Sequence, residues 1–160
     1  LANRVTPDAF LPLQNDRPIP AGDYLCFDYG SKRIGVAIGN SLIGTARPMK
    51  VVDNHSGTPD WQSIDQCMEE WTPKALLVGI PLTAEGEKQD MTHHASGFAK
   101  RLKKRYNVPV FDADERFSSI EAQQELQKMR ARGQRGKTQH ADVDKLAAAL
   151  ILERWFSEHL

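Results

Sequence analysis

The chain carries no excess of charge: 21 basic residues balance 21 acidic ones, for a formal net charge of +0. That excludes a general polycation, so a nucleic-acid partner would have to be met by patterned rather than summed charge. Cysteine is scarce. The two present, Cys26 and Cys67, form no C-x-x-C motif, and both read as reduced core thiols of a cytosolic protein. No apolar run approaches the roughly 18 residues of a membrane span, and the N-terminus has no apolar signal core. Localisation is therefore expected to be cytoplasmic, with no membrane partner. Several catalytic motifs are missing too. Gly30-x4-Gly35 lacks the Lys-Ser/Thr of a phosphate-binding P-loop. No Ser or Cys stands in a recognisable nucleophile motif. His93 and His94 are adjacent, so on a helix they point to different sides and lack the i, i+4 spacing of a metal pair. There is no internal repeat and no low-complexity tract.

What is present is organised around Leu25 to Asn40. A short apolar run climbs to one carboxylate, Asp28; a turn with Gly30 follows, then Lys32 and Arg33, then a second, β-branched run. This pattern fits two strands of a hairpin with Asp28 ending the first. An acid at the mouth of a buried strand loses hydration and normally has a cation, a metal or donors nearby. The plainer alternative is an Asp that hydrogen-bonds the turn backbone.

Length suits one domain with a substantial core: 160 residues. Residues 1–22 hold Pro7, Pro12, Pro18 and Pro20 and no clean period, and read as a flexible extension. Leu1 is not a natural start, so residues upstream of it are expected. The domain is expected over 23–160. Strands are predicted over 24–28, 33–40 and 46–52, with Pro48 marking an edge or bulge. Thr58-Pro59-Asp60 predicts a helix start, with Thr58 as N-cap and Pro59 at the first helical position. Trp61, Ile64, Met68 and Trp71 mark its apolar face, and Pro73 closes it. Residues 75–79 are a wholly apolar strand. A helix over 92–106 buries Ala95, Phe98, Ala99, Leu102 and Tyr106. Its other side carries Lys100, Arg101, Lys103, Lys104 and Arg105, which read as a solvated face. A fifth strand is predicted over 108–114. Ser118-Ser119-Ile120-Glu121 is a capping box opening another helix, which fades near Met129. Residues 128–137 hold five basic residues, two glycines and no acid, and read as a mobile basic loop. The last helix is predicted over 142–156.

Short links make the first three strands antiparallel, and strand-helix-strand units make the fourth and fifth parallel to the first. The fold class expected is α/β: a mixed five-stranded sheet flanked by helices. Its parallel strands share one C-terminal edge, where ligands bind in open α/β sheets. Asp28 ends strand one, Asp114-Glu115 ends strand five, and Asp142-Val143-Asp144 opens the last helix. Asp144, Ala148 and Ile151 fall on one helical face, so Asp144 is expected beside a buried surface. Carboxylates converging from distant segments repel each other, and a divalent cation relieves that repulsion. Hard oxygen ligands select Mg2+ or Mn2+. Each acid also has a structural reading: Asp142 is a natural N-cap, and Asp114 could pair with Arg116.

Four motifs together resemble one family. Asp28-Tyr29-Gly30-Ser31-Lys32-Arg33-Ile34-Gly35-Val36-Ala37 is similar to its opening D-x-G-[ST]-K-x-I-G-V-A signature. Val78-Gly79-Ile80-Pro81-Leu82, then Gly86, resembles its V-G-x-P-L loop. Asp114-Glu115-Arg116-Phe117-Ser118-Ser119-Ile120-Glu121-Ala122 resembles its D-E-R-x-[ST]-[ST]-x-E-A segment. Val143-Asp144 with Ala147-Ala148 and Ile151-Leu152 is similar to its terminal helix. The family is YqgF/RuvX, of ribonuclease H-like fold, whose members are described as pre-16S rRNA nucleases and, earlier, as Holliday junction resolvases. The likeness runs over about 24–156; Tyr29 and Ile80 are conservative variants, and the N-terminal extension lies outside it.

The resemblance implies a nuclease with catalytic, metal-binding acids Asp28, Glu115 and Asp144. Asp114 lies behind them, with the roles of Asp114 and Glu115 open to exchange. Lys32, Arg33 and Arg116 flank the acids and would hold phosphates. Arg130, Arg132, Arg135 and Lys137 of the basic loop would add further phosphate contacts.

The first function expected is a Mg2+- or Mn2+-dependent endonuclease acting on structured RNA in processing of the 16S rRNA precursor. The second is a resolvase of branched DNA, which should dimerise with two-fold symmetry, although no dimer face is legible. A third is a non-catalytic nucleic-acid-binding module, against which the intact acids argue. A fourth, an actin-like phosphate-binding fold, needs two such domains where this chain has room for one. The residues do not separate RNA from DNA, because recognition of a 2′-OH depends on contacts the sequence does not place.

Overall fold

The structure, a computed structural model, describes residues 18–55, 57–80, 86–114, 124 and 140–160. Strand β1 (Asp23–Tyr29) turns at Gly30 into β2 (Arg33–Asn40), and β3 (Thr45–Asp53) completes an antiparallel meander. Helix α1 (Trp61–Trp71) leads to β4 (Ala75–Ile80), and α2 (Gly86–Tyr106) leads to β5 (Val110–Asp114). Helix α3 (His140–His159) closes the chain. The sheet order is β3-β2-β1-β4-β5, with β4 parallel to both β1 and β5. The expected mixed sheet is thus present, its parallel strands sharing one C-terminal edge. Apart from Gln124, the expected helix from Ser118 lies outside the described residues, as does the basic loop over 128–137.

Alternation along the strands divides the core into two layers. On one face Leu25, Phe27, Ile34, Val36, Leu76 and Val78 pack against Ile64 of α1 and Phe98 and Leu102 of α2. Phe98 is the hub there, 5.6 Å from the ring of Phe27, 5.0 Å from Tyr29 and 5.8 Å from Trp61. On the other face Tyr24, Cys26, Ala37, Leu77 and Phe111 meet Ala148, Leu152, Trp155 and Phe156 of α3.

The second layer is close because β2 has small residues on that side. A Cβ at Gly39 would lie 2.7 Å from Leu152 Cδ2 and 2.8 Å from the Thr45 carbonyl oxygen. One at Gly35 would run into the Asp144 carbonyl oxygen and lie 2.9 Å from the Lys145 amide nitrogen. Glycine here is required by space, not by φ. Helix α3 therefore starts at the C-terminal edge of β1 and runs back toward Tyr24. Glu153 fastens it to β3 by accepting the Ala46 amide at 2.9 Å.

Several local expectations change. Pro48 does sit beside a bulge on the edge strand: the β2–β3 register shifts between Val36 and Ala37. The N-cap of α1 is Asp60, whose carboxylate accepts the Ser63 amide, and not Thr58. Thr58 is occupied elsewhere. It exchanges backbone hydrogen bonds with His55 at 3.1 and 3.2 Å, and Pro59 bridges Asn54, so this segment is a small hairpin. Thr72 in the left-handed region, φ 38°, ends α1 just before Pro73. Helix α2 begins at Gly86, ahead of the expected 92, and α3 at His140, so Asp142 falls inside the helix instead of capping it.

The basic side of α2 is exposed, as expected, and two of its five cations are also tied down. Arg105 makes a two-pronged contact with Asp65 of α1, at 3.0 and 2.8 Å, and Tyr106 donates to the same carboxylate at 2.5 Å. Arg101 donates to the Gly57 carbonyl, and both arginines lie over the Trp61 ring. Residues 18–22 pack on the sheet: the Tyr24 hydroxyl donates to the Pro20 carbonyl at 2.8 Å, and Ser41 bonds Gly22. No helix among the described residues is long and apolar enough to cross a membrane.

Candidate active site

Asp28 occupies the next-to-last position of β1 and is half-buried. It pairs in register with Gly35 of β2 on one side and Gly79 of β4 on the other. Gly79 in turn pairs with Ala113 of β5. Asp28 therefore stands in a row otherwise made of glycine and alanine. Its alternation partners, Tyr24 and Cys26, belong to the α3 layer, so this row faces α3. At Gly35 the backbone of α3 comes down on the row, at Asp144.

The sheet and α3 thus bring Asp28 and Asp144 to one patch from positions distant in the chain. The side chain of Asp144 is 28% exposed, and its Oδ2 accepts a 2.7 Å hydrogen bond from Arg33 Nε. Arg33, expected to hold phosphate, is here the ion-pair partner of an acid. Lys32, on the β1–β2 turn, is exposed. Asp114 pairs with Ile80, one step beyond the row of Asp28, and Ile80 belongs to the opposite layer. Glu115, Arg116, Arg130, Arg132, Arg135 and Lys137 lie outside the described residues. His93 and His94 are exposed on α2.

The turn after Asp28 is held by Asn54, which no motif marks. Asn54 is 2% exposed, donates from Nδ2 to the Gly30 carbonyl at 2.7 Å, and its amide donates to the Lys32 carbonyl at 2.9 Å. Gly30 is needed there, since a Cβ would sit 2.6 Å from the Arg33 carbonyl oxygen. The cations Lys32 and Arg33 are thereby carried on a pinned loop beside the acid.

The carboxylate oxygens of Asp28 and Asp144 are the kind of hard donor that suits a divalent cation such as Mg2+ or Mn2+. The glycine at position 35, whose Cβ would fill the space taken by α3, lets the helix bring Asp144 to the edge where Asp28 stands. Among the described residues no group of three His, Cys, Asp or Glu side chains is assembled for a metal.

This mixed five-stranded sheet flanked by helices is the fold of ribonuclease H-like nucleases and resolvases. A solved structure of T. thermophilus RuvC in complex with a Holliday junction substrate has the same fold. It has a TM-score of 0.50 and 17% identity, and the match covers 86% of this chain and 94% of that one. Residues 22–158 match the family described as "RuvX: Holliday junction resolvase", and the chain belongs to that family. A Pseudomonas aeruginosa (strain LESB58) protein named "Putative pre-16S rRNA nuclease" is 41% identical over 147 residues, 92% of this chain and 99% of the relative. A Xanthomonas oryzae pv. oryzae (strain PXO99A) protein of the same name is 42% identical over 139 residues, 87% of this chain and 90% of the relative.

Proposed function

We propose that this chain is a Mg2+- or Mn2+-dependent endonuclease that hydrolyses phosphodiester bonds in the 16S rRNA precursor, in the cytoplasm. The observation that carries the reading is the approach of α3 to Gly35, which sets Asp144 beside the row of Asp28. The substrate comes from relatives that match nearly end to end and carry the pre-16S rRNA nuclease name.

Asp28, Glu115 and Asp144 hold the cation. Membership of the family, matched over 22–158, favours Glu115 as the third ligand and Asp114 as its support. The chemistry such an ion supplies when bound is activation of water and stabilisation of the leaving oxygen. Lys32 and Arg116 bind the phosphates flanking the scissile bond. Arg130, Arg132, Arg135 and Lys137 bind phosphates further along and position the substrate without reading its sequence. The working unit is 23–160, with 1–22 as an extension.

A second reading, resolution of four-way DNA junctions, is supported by the family description and by the fold shared with RuvC. It requires a two-fold dimer so that two strands are cut symmetrically. Purified protein with Mg2+ is offered precursor rRNA, a four-way DNA junction and linear duplexes side by side. Cleavage of the precursor is expected. Cleavage of the junction alone transfers the assignment to the second reading, and cleavage of none overturns both.

A further inference from the structure

We infer that Arg33 is the internal counter-ion of the site: it occupies Asp144 in the cation-free protein and competes with the cation for that carboxylate. The inference rests on the assignment of Asp144 as a cation ligand and adds a determinant of cation affinity to it.

Arg33 opens β2, and its guanidinium reaches across to α3, where Nε meets Asp144 Oδ2 at 2.7 Å. The two residues are 111 positions apart, so only the tertiary fold unites them. Both side chains remain about one-third exposed, at 34% and 28%, which leaves the pair open to exchange. A carboxylate oxygen engaged by a guanidinium is a poorer cation ligand, because one lone pair is used and a positive charge stands beside the incoming ion.

The backbone makes this placement reproducible. The turn before Arg33 is fixed by Asn54 through the Gly30 and Lys32 carbonyls. The helix carrying Asp144 is fixed by contact with Gly35, two residues after Arg33. A guanidinium released from Asp144 by a cation stays at the same edge, free to take a phosphate oxygen in its planar fork. Cation and phosphate binding are then linked, each favouring the other through the same arginine.

The test is Mn2+ titration of the full chain, read by the loss of the free-ion electron paramagnetic resonance signal, without nucleic acid. Wild type is compared with Arg33→Gln, Arg33→Met and Asp144→Asn, each checked for a cooperative melting transition. Two neutral replacements are used because the long stem of Arg33 also packs, and Met keeps its length. Both are expected to bind Mn2+ about threefold to tenfold more tightly than wild type, the range for losing a competing, partly exposed ion pair. Asp144→Asn is expected to lose the binding. Wild-type or weaker affinity in the folded Arg33 variants, with Asp144→Asn still losing the ion, would overturn the competition and leave the cation site standing. No saturable binding in any of the proteins would overturn the site itself, and the competition with it.

Discussion

The two faces of the sheet are built by different means. Toward α1 and α2 the contact is between large side chains: Phe98 meets Phe27, Tyr29 and Trp61, with Ile64, Leu102 and the branched residues of β2 around them. Toward α3 the contact at the functional edge is backbone on backbone, through Gly35, with Ala37 and Gly39 continuing the same small-residue side of β2. The first kind of packing is worth energy and tolerates modest repacking. The second fixes a distance. It is found where the Asp144 backbone approaches Gly35, the register partner of Asp28.

Separate losses follow on the two faces. Phe98→Ala, in the thick layer, should lower stability by about 3–5 kcal/mol, in line with large-to-small core substitutions. Below its lowered melting temperature, turnover per folded molecule should stay near wild type. Gly35→Ala should cost less stability, about 1–3 kcal/mol for forced overpacking. Any proposed cleavage activity should nevertheless fall by at least about tenfold, because a displaced α3 carries Asp144 with it. Denaturant melts paired with single-turnover cleavage rates separate the two. If Gly35→Ala loses stability and keeps its rate, the close approach does not position the site.

The two arginine–carboxylate pairs sharpen the same contrast. Arg105 grips Asp65 with two prongs and Tyr106 adds a third bond, whereas Arg33 holds Asp144 through Nε. Hydrogen bonds from Arg105 and then Tyr106 hold the Asp65 carboxyl below its ordinary range. Its folded value is depressed, so the pair's contribution is complete above the unfolded carboxylate range, about pH 4. It is lost as pH falls through the folded value. Asp65→Asn should therefore melt slightly lower at neutral pH, by at most about 2–4 °C for an exposed pair in a domain of this size. That difference should shrink as pH drops below 4. An undiminished difference at pH 3 would mean that charge is not what the pair contributes. At the alkaline end, burial and then the bond to Asp65 push the Tyr106 hydroxyl up. That contribution is lost as pH rises past the ordinary tyrosine range.

Much of this was legible in the sequence, for local reasons. Alternating apolar positions gave all five strands within a few residues, and short links against helical links gave their directions. The placement of Asp28 at a strand end, and of Asp144 on the buried side of a helix, followed from period alone. What escaped is tertiary. Gly35 and Gly79 flank Asp28 only because of register, and the role of Gly35 depends on a helix that begins at His140. Asn54 looks like any polar residue before a turn until the strand β3 brings it under Gly30. Arg33 read as a phosphate ligand because nothing local tells that an acid 111 positions away will take it first. Asp60 displaced Thr58 as the cap because a small hairpin claimed Thr58, a competition between two local patterns that propensity does not rank.

The central claim is that Asp28 and Asp144, united across Gly35, act as one cation site for phosphodiester hydrolysis. It is tested most directly by single-turnover cleavage of the rRNA precursor in Mg2+ by wild type, Asp28→Asn and Asp144→Asn, each at matched folded concentration. Both variants should keep a cooperative melting transition and lose at least about 100-fold in rate, the scale set by the loss of a group supporting a metal site. Wild-type cleavage by either folded variant would contradict it.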